Sequence, residues 1–262
     1  MAIGSYKIHA RDAKPVPAEL SVENFPYETL MGDWMIVGSS LPLWKARSDV
    51  LCRYTPHDLP SSITQARFRS TSGGEGDLEQ KAKAGAQNAV TKNVSFSDEI
   101  WWEQLDKKTE KHLPGKGASR SKRSIVRGRN KIDPKGVNGA TYLWRGYNFL
   151  KPFTSHWQIV AHNDRFTQSA TEASVAVENG GDQAGAPAES NGTNTEPIWL
   201  VTYFTATLFT EAGIDLYVRG TLTDEAYDEI VEALKNFQGD TPAAKELRDL
   251  AGKMFKVPVG NI

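Results

Sequence analysis

Met31-Gly32-Asp33-Trp34-Met35-Ile36-Val37-Gly38-Ser39-Ser40 is the stretch on which the reading of this sequence turns. A glycine two residues before a tryptophan opens a run suited to a strand. The glycine allows a backbone geometry that a Cβ would forbid, and the tryptophan supplies a large apolar plug with one N–H to anchor. This is expected to be the first strand of a β-rich fold. Pro26 to Leu30, just before it, reads as a turn of helix closing one end.

Working outward, Arg47 to Tyr54 alternates Val50, Cys52 and Tyr54 against Asp49, Leu51 and Arg53, which predicts a second strand ending at a turn between Pro56 and Pro60. Ile63 to Ser70 reads as a third strand, with Arg67 and Arg69 on one face, and Thr71 to Val90 as a Gly-rich surface excursion. Ser97 is placed to cap a short helix with Ile100, Trp101, Gln104 and Leu105 on one stripe, Asp98 and Glu99 at its start and Lys107 and Lys108 at its end. Its Trp101-Trp102 pair is a lid or an outer patch. Ser124 to Gly128 is a strand within the basic run from Lys107 to Lys135. Four clear strands follow at Thr141–Tyr147, Ser155–Val160, Trp199–Phe204 and Gly213–Arg219.

Thr167 to Glu196 has no aromatic residue and no period, so it lacks the apolar area to offset its ordering entropy and is expected to be a disordered loop. Thr223 caps a helix with Leu222 and Tyr227 at staple positions and Tyr227, Ile230, Val231, Leu234 and Phe237 on one face; Thr241-Pro242 starts another, with Leu247, Leu250, Ala251 and Met254 facing inward. Residues 1–25 form an extended arm. The predicted architecture is all-β: one domain over 1–262, an antiparallel barrel of about eight strands with inserted loops at 71–135 and 167–196 and C-terminal helices over 223–254. Closure is how such sheets remove exposed edges. Two sandwiched sheets are the alternative.

Gly32-x-Trp34 at a strand start, the strands Thr141–Tyr147, Ser155–Val160, Trp199–Phe204 and Gly213–Arg219, and the helix after them together resemble the lipocalin or calycin superfamily, in particular intracellular fungal lipocalin-like proteins. The resemblance runs from about Tyr27 to Phe237, with gaps. The Thr-Asp-Tyr pattern of secreted lipocalins is missing near Thr195-Glu196-Pro197. The resemblance implies a lipocalin-like barrel, with Arg219 stacked on Trp34 at its closed end. It also implies an activity class, because these fungal proteins include cofactor-free hetero-Diels–Alderases joining a quinone methide to a humulene-type terpene.

The residues themselves exclude several classes. The first residues have no apolar signal segment and no run reaches the roughly 18 apolar residues of a membrane span, so the chain is expected to be cytoplasmic and without a membrane partner. The single Cys52 cannot form an internal disulfide, and a net charge of −1 gives no general pull on nucleic acid. Arg120, Lys122, Arg123, Arg127 and Arg129 lack interleaved aromatics, so no nucleic-acid partner is expected. No metal is expected either: His156 and His162 share a strand face but would lie about 20 Å apart, and His9, His57 and His112 fall in separate segments. A Gly-x-Ser-x-Gly elbow, a phosphate loop and paired carboxylates are all missing.

What remains is an aromatic cavity that needs no cofactor. Tyr54, Trp144, Trp157, Tyr203 and Tyr217 are its expected walls, and Arg67 and Arg145 its expected cations, aimed at a developing oxyanion. Two functions fit. One, implied by the resemblance, is a pericyclase that holds two hydrophobic reactants in a reactive pose; the other is a non-catalytic carrier of a hydrophobic small molecule.

Overall fold

A computed structural model describes residues 3–22, 24–58, 94–105, 123–133, 135–136, 138–168, 196–207 and 210–260. Among the described residues, ten strands lie in one sheet: β1 (Tyr6–Ile8), β2 (Gly32–Ser39), β3 (Arg47–Asp58), β4 (Ser95–Gln104), β5 (Ser124–Ile132), β6 (Thr141–Gly146), β7 (Thr154–Asn163), β8 (Ile198–Phe204), β9 (Gly213–Arg219) and β10 (Phe255–Lys256). From β2 to β9 each strand pairs antiparallel with the next, and β9 returns to β2. The eight therefore form a closed up-and-down barrel of lipocalin type. That closure rules out two separate sandwiched sheets.

Gly32 holds a left-handed backbone, φ +93°, in which a side chain would be strained. It delivers Trp34 to a fully buried position, where the indole Nε1–H donates to the Leu30 carbonyl at 2.8 Å. Leu30 ends the short helix α1 (Tyr27–Leu30). The Arg219 guanidinium lies 4.0 Å from the centre of the Trp34 ring and donates to the carbonyls of Thr29, Met31 and Asp33. A cation on the indole face thus ties three backbone carbonyls together and closes this end of the barrel.

Two helices cover the outside of the sheet: α2 (Asp224–Lys235), capped by Thr223 Oγ1 accepting from the Ala226 amide, and α3 (Pro242–Ala251), capped in the same way by Thr241. Their buried residues Ile230, Leu234, Leu247 and Leu250 meet Val160, Val201, Ile214, Leu216 and Val218 in one aliphatic layer. A second, aromatic cluster fills the barrel itself, with Trp34, Tyr54, Phe96, Tyr142, Trp157 and Tyr217 among its members.

Three expectations change. Ser97 to Leu105 is not a helix: Ser97 to Gln104 is most of β4, paired on both edges, Cys52 opposite Ile100 and Ile100 opposite Val126. The helical stripe there was equally an alternation, with Phe96, Asp98, Ile100 and Trp102 on one face, and two waiting strand edges decided between them. The stretch 71–135, read as an inserted loop, therefore contributes two barrel strands, and β5 runs four residues beyond the expected Gly128. The arm is more than extended chain: β1 pairs with β7, and Leu20 and Phe25 are buried. Arg67, the expected strand Ile63–Ser70, and most of Thr167–Glu196 lie outside the described residues.

Candidate functional site

Strand direction fixes the two ends of the barrel. The closed end holds Trp34, Arg219 and α1; at the other end lie Ser39, Trp44, Trp102 and Phe204 and the connecting residues 40–46, 147–153, 205–207 and 210–212. Four inward-facing apolar side chains of the aromatic cluster, Ile100, Val126, Trp144 and Phe204, are only partly buried. Ile198 at the closed end is partly buried as well, but that end is plugged by Trp34, Arg219 and α1, and we take the opposite end as the mouth.

Below the mouth, rings dominate. The Tyr54 and Trp157 rings stack at 5.9 Å with planes 10° apart, Tyr142 tilts against Trp157 at 4.6 Å, and Phe96 stands edge-on to Tyr54 and Tyr142 at 5.2 and 5.0 Å. Such pairs add to burial the attraction of ring edge for ring face. Polar groups are few and placed. Trp157 Nε1 donates to Asn130 Oδ1 at 2.8 Å, and Tyr217 is hydrogen-bonded to Tyr54, which also meets the buried Cys52. Burial pushes the Cys52 thiol well above its ordinary range, which leaves it inert as a nucleophile.

Asp98 is the group with chemical potential. It sits on the inner face of β4, 4% exposed, and Trp144 Nε1 donates to its two carboxylate oxygens at 2.9 and 3.0 Å. Desolvation raises its pKa to about 6 against the opposing hydrogen bonds from Trp144 and the backbone. Gly128, its cross-strand neighbour, makes the contact possible, since a Cβ there would fall 2.0 Å from Trp144 Nε1. A second buried acid, Asp215, accepts from Ser39 Oγ at 2.5 Å and Trp44 Nε1 at 3.1 Å, and burial raises it to about 7. Ser39 Oγ in turn accepts from the Leu41 amide, so Asp215 braces the turn at the rim.

Of the expected walls, Tyr54, Trp144, Trp157 and Tyr217 share the interior cluster. Tyr203 does not: it lies on the outer face of β8, under α3, and its hydroxyl donates to Glu246 at 2.9 Å while Arg11 covers its ring. Trp199 to Phe204 is apolar on both faces because helices cover the outside, so alternation alone could not say which face was inward. Arg145 is also turned outward and exposed, opposite Arg129. Its neighbour Trp144 faces in, and adjacent strand residues cannot share a face. Asp98 escaped notice because its stretch read as the first turn of a helix. An aspartate alternating with Phe96, Ile100 and Trp102 was the signal. The basic run shows paired charges where it is described, Arg123 with Glu103 and Arg127 with Glu99. No helix among the described residues is long and apolar enough to cross a membrane.

One cluster was not foreseen. β1 takes over the edge of β7 where β6 leaves it, and an irregularity between Ile159 and Ala161 turns His162 toward the closed-end rings, 5.6 Å from Phe166. His9, His162 and Glu19 thereby come together, with their ligand atoms all within 4.8 Å.

No protein-family model matches the sequence, and no curated protein does. Among solved structures, the chain is similar to apocrustacyanin C1 (11% identity over 97% of this chain and 91% of that one, TM-score 0.42). It is also similar to insecticyanin from the tobacco hornworm Manduca sexta (10%, 98% and 90%, 0.42) and to the siderocalin Ex-FABP (9%, 89% and 96%, 0.38). At such identities and scores these structures carry no argument about this chain. The barrel itself rests on the closed strand order of this chain.

Proposed function

We propose that the barrel binds an oxygen-bearing hydrophobic small molecule below its mouth and acts on it as a cofactor-independent pericyclase of the hetero-Diels–Alder type. The observation that carries this reading is a buried carboxyl, Asp98, of pKa about 6, set among stacked aromatic rings beside partly exposed Ile100, Val126, Trp144 and Phe204. A carboxyl poised near neutrality is protonated often enough to serve as an acid and ionised often enough to serve as a base. It takes the part first expected of Arg145. In this reading Asp98 protonates a leaving benzylic hydroxyl, which departs as water, and its carboxylate takes the proton of the neighbouring phenol. The resulting quinone methide then adds across a terpene double bond, the aromatic walls holding both in contact.

A carrier is the second reading. It is favoured by one detail: Trp144 already donates to both Asp98 oxygens, an arrangement that would serve equally to hold an indole wall in place. The discriminating experiment incubates purified protein with an ortho-hydroxybenzyl alcohol and a polyene terpene, without cofactor, and follows rate and stereochemistry beside quenching of tryptophan fluorescence. Acceleration that Asp98→Asn abolishes while terpene still quenches is the expected result. Quenching with the uncatalysed rate and product mixture replaces the enzyme with the carrier, and absence of quenching overturns both.

A further inference from the structure

We propose that His9, Glu19 and His162 form a binding site for a divalent transition cation of the zinc type, which staples the N-terminal arm to the closed end of the barrel. The three residues come from three segments: His9 follows β1, Glu19 lies in the single turn Ala18–Leu20, and His162 is on β7. Two imidazoles and one carboxylate are a ligand set that suits zinc, and one carboxylate is too few oxygens for calcium or magnesium. Tetrahedral coordination at about 2.0–2.1 Å needs ligand atoms about 3.3 Å apart. His9 Nε2 and Glu19 Oε1 are already 3.2 Å apart.

His162 supplies an independent pointer. Its side chain is fully buried, and its Nε2 has no hydrogen-bond partner among the described residues. Nδ1 lies 3.0 Å from the Asn163 carbonyl oxygen, which can only accept. In the neutral ring the proton therefore sits on Nδ1, which leaves Nε2 a bare lone pair, the tautomer that an outer hydrogen bond gives to a metal-bound histidine. Lys7 is the competitor. Its Nζ is 3.3 Å from the same Glu19 oxygen, but its side chain is 48% exposed and can swing away. A cation in the site would replace Lys7 at Glu19 and leave a fourth position for water.

The test uses the full chain, tag-free and stripped with chelator, titrated with Zn2+ alone by calorimetry and thermal unfolding, and with Co2+ to read the visible absorption of a tetrahedral site. One equivalent is expected to bind and raise the unfolding midpoint. His9→Gln, Glu19→Gln and His162→Gln should each weaken binding at least about tenfold, whereas Lys7→Gln, by removing the competing charge, should tighten it roughly threefold to fivefold. Should His162→Gln fail to fold, the two partly exposed positions decide. Absence of saturable binding, binding unchanged in both His9→Gln and Glu19→Gln, or weaker binding in Lys7→Gln would each overturn the site.

Discussion

The two faces of the barrel wall are built from different residues. Outside, under α2 and α3, the layer is largely aliphatic, with Val160, Val201, Ile214, Leu216 and Val218 against Ile230, Leu234, Leu247 and Leu250. Inside, Tyr54, Phe96, Tyr142, Trp157 and Tyr217 surround buried Asp98 and Asn130, with Asp215 near the rim. An aliphatic layer gains by exclusion of water and asks little of direction; rings and carboxyls cost desolvation and give orientation in return. Under the proposed function, the outer face of the sheet serves stability and the inner face recognition. Trp34 and Arg219 are the exception, since they lie inside yet serve closure.

That exception carries the largest effect. Trp34→Ala removes a fully buried indole, its hydrogen bond and the cation above it, and should cost about 3–5 kcal/mol in chemical unfolding. An unchanged unfolding midpoint would break the closed-end assignment. Next comes the outer layer: Leu234→Ala, truncating a fully buried helix residue, should cost about 2–4 kcal/mol and leave quenching by a bound terpene unaltered. If affinity falls together with stability, the division between the faces is wrong.

A pH series sharpens the interior side. Burial raises Asp98 to about 6 and Asp215 to about 7, both from 3.8. The unfolded chain therefore releases these two protons before the folded chain does. Their cost is absent below about pH 4, grows through the window up to about pH 7, and is constant above it. These two acids should thus lower the unfolding free energy between about pH 4 and 7, and Asp98→Asn and Asp215→Asn should each remove roughly 2–4 kcal/mol of that fall. The smallest effect belongs to Arg145→Ala. Exposed on the outer wall, it should change stability by no more than about 0.5 kcal/mol and leave ligand affinity as it was. A large loss of binding would return Arg145 to the interior.

What the sequence determined by itself was local or strongly periodic. Gly32-x-Trp34 marked the first barrel strand because only glycine suits that backbone and only a large side chain plugs that end. Thr223 and Thr241-Pro242 marked both helix starts because a cap is settled within four residues. Tertiary structure decided the rest. Ser95 to Gln104 is a strand because β3 and β5 offer it hydrogen-bonding edges, and a stretch satisfying two periods takes the one its neighbours reward. Tyr203 points outward because helices make both faces of β8 apolar, and period two then carries no sign. Asp98 meets Trp144 across a gap left by Gly128, and His162 turns toward His9 and Glu19 at an irregularity in β7. Such encounters depend on register between segments far apart in the chain. A sequence states spacing along one strand, and only closure of the barrel sets which strands lie side by side.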